Sequence, residues 1–142
     1  MKYFIWVCFF SLMSYACKQP PQSNKTMDIE NKKWFLVELN GKAFTNSQGE
    51  DKKVFLKFNK EIQKIEGFAG CNSFSGVYKL EDSKVSLSEM IATEAYCEEI
   101  MPQERAFFKA LAEMKTLSTS KDGKKLSLVA ENKIILATLK SE

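Results

Sequence analysis

The sequence predicts an α+β domain, mainly antiparallel: a small curved sheet, or a lipocalin-like partial barrel, packed with one amphipathic helix. Three observations carry this expectation. From Lys33 onward, short apolar or alternating runs recur between turns rich in Gly, Asn and Asp. Only after Pro102 does the apolar spacing change to steps of three and four. A chain of 142 residues has room for one domain with a single core, burying roughly two-thirds of its unfolded surface.

The first thirty residues read as address rather than fold. Lys2 precedes an apolar run from Tyr3 to Met13, then Ser14-Tyr15-Ala16-Cys17, then the polar stretch Lys18 to Glu30. The run falls well short of the ~20 apolar residues that a bilayer-spanning helix requires. A positive start, a short hydrophobic region and small residues before a cut are the parts of a secretory signal peptide, here residues 1–16. Cleavage after Ala16 leaves Cys17 at the new N-terminus, where bacterial lipoproteins carry their lipid. Cys17 is therefore the candidate lipidation site, and the membrane is a candidate partner through that N-terminal anchor. Plain secretion is the alternative, since Ser-x-Ala also suits ordinary signal peptidase. With Lys18 rather than Asp beside the cysteine, the expected location is the cell envelope at the outer membrane. Residues 17–32 are then the lipidated cysteine and a flexible tether. Lys18 to Lys25 has no large apolar residue whose burial would offset its ordering entropy. Such a tether holds a domain roughly 20 Å from the membrane.

Residues 33–142 form the expected domain. Trp34 to Leu39 is apolar and ends at Asn40-Gly41, a strong two-residue hairpin signal. After a polar loop from Thr45 to Lys53, Val54 to Phe58 reads as a strand, with Ile62 to Phe68 as its antiparallel partner. Gly76 to Leu80 and Lys84 to Leu87 flank the turn Glu81-Asp82-Ser83, with Val85 and Leu87 facing opposite to Ser86 and Ser88. Met90 to Ala95 extends as a further strand. From Pro102 to Leu117, the residues Phe107, Ala110, Leu111, Met114 and Leu117 mark one face of a helix. Pro102 suits its first turn, and Glu104 is a favourable charge near the positive end of its dipole. Two last strands follow, Lys125 to Val129 after Asp122-Gly123 and Lys133 to Leu139 after Glu131-Asn132.

Gly67, Gly70 and Gly76 stand within and beside these strands, where glycine is disfavoured unless the backbone bends or packs closely. Asn72 hydrogen-bonds nearby backbone and tolerates a left-handed conformation. With Phe74 and Tyr78 supplying burial, the segment reads as a sharp corner between strands. A ligand-binding loop is the rival reading.

Two stretches resemble the META/HslJ domain family. Trp34-Phe35-Leu36-Val37-Glu38-Leu39-Asn40-Gly41 is similar to its W-x-L-x-x-[IL]-N-G opening. Gly67-Phe68-Ala69-Gly70-Cys71-Asn72-Ser73-Phe74-Ser75-Gly76-Val77-Tyr78 is similar to its G-x-x-G-C-N-x-[FY]-x-G-x-[YF] signature. Thr93, Cys97, Glu104 and Leu111 fit the later portion. The resemblance implies a small β-barrel-like α+β domain, often on envelope lipoproteins and linked to heat or antibiotic stress. It implies no catalytic site.

Composition narrows the chemistry further. The chain contains no histidine, which removes Ser-His-Asp and Cys-His catalysis and most zinc sites. Of its four cysteines, Cys8 leaves with the signal peptide and Cys17 takes the lipid. Cys71 and Cys97 remain as an even pair in an oxidising compartment, which points to a disulfide. A free thiol nucleophile is the rival, without a histidine to activate it. Glu94, Glu98 and Glu99 lack calcium-loop spacing and read as a solvated loop. The formal charge of +3 comes from dispersed lysines rather than a basic face, so nucleic acid is not an expected partner.

The expectation is a non-catalytic envelope lipoprotein with no cofactor and no metal. It would act by contact with an unidentified envelope protein in envelope maintenance or in stress and antibiotic tolerance. The alternative is a small-molecule binding module with an apolar cavity inside the curved sheet.

Overall fold

The computed structural model describes residues 27–46, 49 and 52–142. The expected signal peptide, the candidate lipidation site Cys17 and the start of the expected tether lie outside the described residues. Among the described residues the chain forms nine strands and one α-helix. In chain order these are β1 (Lys33–Leu39), β2 (Lys42–Ala43), β3 (Phe55–Asn59), β4 (Lys64–Phe68), β5 (Ser73–Glu81) and β6 (Lys84–Ala92), then α1 (Met101–Glu113), β7 (Thr116–Thr119), β8 (Lys125–Val129) and β9 (Ile135–Ser141).

The strands make one antiparallel sheet in the order β2-β1-β3-β4-β5-β6-β7-β8-β9, and β1 also pairs with β9. That last pairing curls the sheet into a ring, from Trp34 opposite Ser141 to Leu39 opposite Ala137. Strand alternation then sets two faces. Trp34, Leu36, Leu56, Phe58, Ile65, Phe74 and Tyr78 are buried, while their neighbours Phe35, Phe55, Lys57, Glu66 and Ser75 are only half-buried. The weakest seam is β6 to β7, paired only at Lys84 and Thr116. The helix connects those two strands, and Phe107, Ala110, Leu111 and Met114 join the core.

Local chemistry explains two of the boundaries directly. Asn40 and Gly41 both have positive φ, 51° and 74°, as a type I′ hairpin turn requires, and they join β1 to β2. Pro102 stands in the first helical turn, where its missing N–H is harmless.

Several expectations need correction. The helix ends at Glu113, because Met114 turns extended with ψ 139°. Leu117 is buried as expected but belongs to β7. An inward position on a strand had continued the helical spacing by coincidence. Three strands therefore follow the helix rather than two. Met90 to Ala92 is the end of β6, carried past a register shift where Glu89 has a φ of 52°. Ile62 lies exposed in the β3–β4 turn rather than in a strand. The corner is narrower than the glycine spacing implied, since Gly67 lies in β4 and Gly76 in β5. Asn72 is not left-handed; the turn relies on Gly70, at φ 113°.

Finally, the expected tether overlaps the domain from residue 27. Ile29 is fully buried in the core, and Glu30 forms a parallel bridge with Phe58. The burial of one isoleucine, with main-chain bonds to β3, orders what composition alone marks as polar linker.

Candidate functional site

Most of the signature residues converge on one corner, between the end of β4 and the start of β5. Gly70 turns the chain there, and a Cβ at this position would lie 2.9 Å from Ile100, just before the helix. Cys71 is disulfide-bonded to Cys97, with Cα atoms 5.9 Å apart, within the span that a disulfide requires. The bond fastens the corner to the segment leading into α1.

Asn72, only 3% exposed, is the hub of the polar contacts. Its Oδ1 accepts from Thr93 Oγ1 at 2.8 Å and from the Ala95 amide at 2.7 Å. Its Nδ2 donates to the Ala95 carbonyl at 3.1 Å and to Glu104 Oε1 at 2.8 Å. Thr93 Oγ1 in turn accepts from the Ser73 amide at 3.2 Å. The side chain thus stitches the corner to the loop after β6 in both directions.

Glu104 completes the arrangement. It is 3% exposed, and its Oε2 accepts from the backbone amides of Cys71 at 3.0 Å and Asn72 at 2.7 Å. A buried carboxylate is tolerated where hydrogen bonds replace its lost hydration. Here two main-chain N–H groups and one side-chain amide supply them, and the helix dipole favours a negative charge near α1's start. In the sequence Glu104 reads as a charge favoured by the helix dipole and as part of the later family motif, not as a partner of Asn72. The overlooked signal is its place on the buried stripe, three residues before Phe107 and seven before Leu111.

Phe74 lies beside this corner, its ring 6.2 Å from Phe107 and 5.6 Å from Phe108. Gly67 explains how that ring fits, because a Cβ there would collide with the Phe55 carbonyl oxygen and the Phe74 ring. Gly76 leaves similar room for the Met90 side chain.

The remaining signature residues lie elsewhere. Trp34 and Tyr78 gather around the N-terminal segment. Trp34 Nε1 donates to the Ile29 carbonyl at 2.8 Å, and Tyr78 OH donates to Glu30 Oε1 at 2.6 Å. Burial, and then the Glu30 carboxylate, raise the Tyr78 pKa well above the ordinary phenol value. Asn40 and Gly41 stand apart at their hairpin. Glu94, Glu98 and Glu99 are exposed and, among the described residues, no group of three His, Cys, Asp or Glu side chains is placed to hold a metal.

Chemically, the corner is a brace. Its cysteines are bonded to each other, both Glu104 oxygens are engaged, and every buried side-chain nitrogen or oxygen among the described residues has a hydrogen-bond partner.

The comparisons agree with this architecture. The NMR structure of a protein from Burkholderia xenovorans superposes with a TM-score of 0.65 at 20% identity, over 93% of this chain and 97% of that one. A second NMR structure gives 0.60 at 21% identity, over 79% and 90%. The crystal structure of a DUF4847 family protein from Bacteroides vulgatus gives 0.59 at 14% identity, over 80% and 94%. At these identities the likeness is one of fold. No curated protein matches the chain. The META domain model matches residues 27–142, beginning at the segment that carries Ile29 and Glu30. The chain belongs to the META domain family.

Proposed function

We propose that the chain is a non-catalytic lipoprotein of the bacterial cell envelope. Its META domain would be a rigid module for protein–protein contact in envelope maintenance or in stress and antibiotic tolerance. The observation that carries this reading is the filled interior. Lipocalin-like barrels hold a small ligand where their interior is left open. Here the inward positions carry Trp34, Phe58, Tyr78, Leu56 and Ile65, each at most 1% exposed, and the helix adds Phe107 and Leu111. That packing favours contact through the outer surface over a ligand cavity inside the ring.

Two further features support the reading. The residues that are chemically richest, Cys71, Asn72, Cys97 and Glu104, are occupied in bonding one another and the nearby backbone. The chain also contains no histidine to serve as a base. Anchoring through Cys17 follows from the signal-peptide pattern and keeps the domain near its partners.

Site-specific photocrosslinking in living cells tests the proposal. Probes at the exposed positions Ile62, Ile91 and Tyr96, which are 57%, 69% and 77% exposed, should yield discrete protein adducts from at least one site. Native mass spectrometry of the purified chain is the second arm. A small molecule retained at one copy per chain, with no protein adduct from any probe, would favour the cavity reading instead.

A further inference from the structure

The outer face of the ring carries a feature that its packing does not require. Phe35, Phe55 and Phe68 are direct cross-strand neighbours on β1, β3 and β4, and all point away from the core. The same row continues on the other side of β1 into Lys140 of β9, and from there to Lys125 of β8. Half-buried phenylalanines thus form a ladder that runs into lysines.

More lysines border the rings. Lys33 Nζ stands 4.7 Å from the Phe55 ring centroid, and Lys53 Nζ stands 5.7 Å from that of Phe35. With Lys52 and Phe68 these residues line a shallow surface cleft of about 610 Å³. Among the described residues, few acidic groups border it. Glu142 borders the cleft, and Glu66, in the adjoining row, is paired with Lys57 at 3.6 Å.

We infer that this phenylalanine–lysine face docks on an anionic lipid surface. An apolar strip belongs at the boundary between headgroups and acyl chains, and long lysine stems let their ammonium groups reach lipid phosphates. Charge complementarity supplies the selectivity, as it does for basic segments beside membranes. A glycan fits less well. A neutral glycan would supply no counter-charge to the bordering Lys33 and Lys52. The inference rests on the envelope location proposed above but not on the lipid at Cys17. An anchored domain with such a face would lie against the bilayer rather than sway above it.

The test uses the mature chain, residues 17–142 carrying Cys17→Ala, so that neither the apolar run Tyr3 to Met13 nor a lipid contributes. It is mixed with phosphatidylethanolamine vesicles, with or without one-third phosphatidylglycerol, and the bound fraction is measured by flotation. Partition should be at least tenfold greater onto the anionic vesicles and should fall as salt is raised. Removing a lysine near the surface should weaken binding about fivefold, so Lys33→Ala with Lys140→Ala should weaken it roughly 25-fold. Both lysines are exposed, so this pair avoids the folding loss that Phe55→Ser risks. Lys109→Ala, on the helix, should leave binding unchanged. Equal partition onto neutral and anionic vesicles, or a lysine pair variant that binds like the parent, overturns the inference. So does binding to anionic glycan strands without binding to vesicles. The fate of the Cys17 anchor is read separately, by fractionation of the unaltered chain.

Discussion

Replacing Glu104 with glutamine changes one atom's hydrogen-bonding character at the centre of the corner. Two backbone amides and the Asn72 amide now donate to a carboxylate at 3.0, 2.7 and 2.8 Å. Glutamine can keep the two backbone bonds through its carbonyl, but these become neutral. Bonds to a charged acceptor are worth about 1.5–3 kcal/mol and neutral ones about 0.5–1.5, so the two together lose about 2 kcal/mol. The third contact becomes donor against donor. Asn72 cannot relieve it by turning its amide over, since its Oδ1 already accepts from Thr93 and Ala95. The total is about 3 kcal/mol, a large share of the 5–15 typical of a small domain. Urea unfolding followed by the fluorescence of fully buried Trp34 should show the midpoint falling by roughly 1–2 M. Glu113→Gln is the control, because Glu113 is exposed and 3.7 Å from Lys109; it should move the midpoint little. A Glu104→Gln loss below about 1 kcal/mol, or one no larger than the control's, would refute the brace.

Other perturbations probe the remaining contacts. Reducing the Cys71–Cys97 bond, which links residues 26 apart, should lower stability by about 3.5 kcal/mol in the chain-entropy model, measured by urea unfolding with and without reductant. Leu111→Ala removes a side chain only 2% exposed and should cost about 2–5 kcal/mol, whereas Lys109→Ala should stay within about 0.5 kcal/mol. Equal effects would place the helix face wrongly. The raised Tyr78 pKa means that the unfolded chain loses this proton first. Its contribution is therefore complete below the ordinary phenol pKa of about 10 and declines as pH rises beyond it. In Tyr78→Phe the part of the alkaline loss that belongs to Tyr78 should disappear, as stability measured at pH 8 and pH 11 would show.

What the sequence made legible is mostly local. Asn40-Gly41 specified its hairpin because both residues tolerate positive φ, and Pro102 marked the helix start because its ring fits only the first turn. The other helix end was hidden, since Met114 and Leu117 keep the helical spacing while the backbone has already become extended. The corner was recognised from its glycines, yet the carboxylate that bonds its amides lies more than thirty residues away, at Glu104. No local pattern encodes that pairing. The ring's closure by β1 and β9 is equally non-local. Ile29 and Glu30 looked like linker because one buried side chain scarcely changes the composition of a polar stretch. Their role depends on Trp34 and Tyr78 waiting beyond them.

The central claim, an envelope lipoprotein with a braced META domain, meets its most direct test in the intact mass of the chain extracted from membranes. The mass should be that of residues 17–142 plus the lipid on Cys17, less two hydrogens for the bond between Cys71 and Cys97. Alkylation should add nothing before reduction and should label two thiols after it. A chain that retains residues 1–16, or begins at Cys17 without lipid, would contradict the anchor. Two thiols labelled before reduction would contradict the brace.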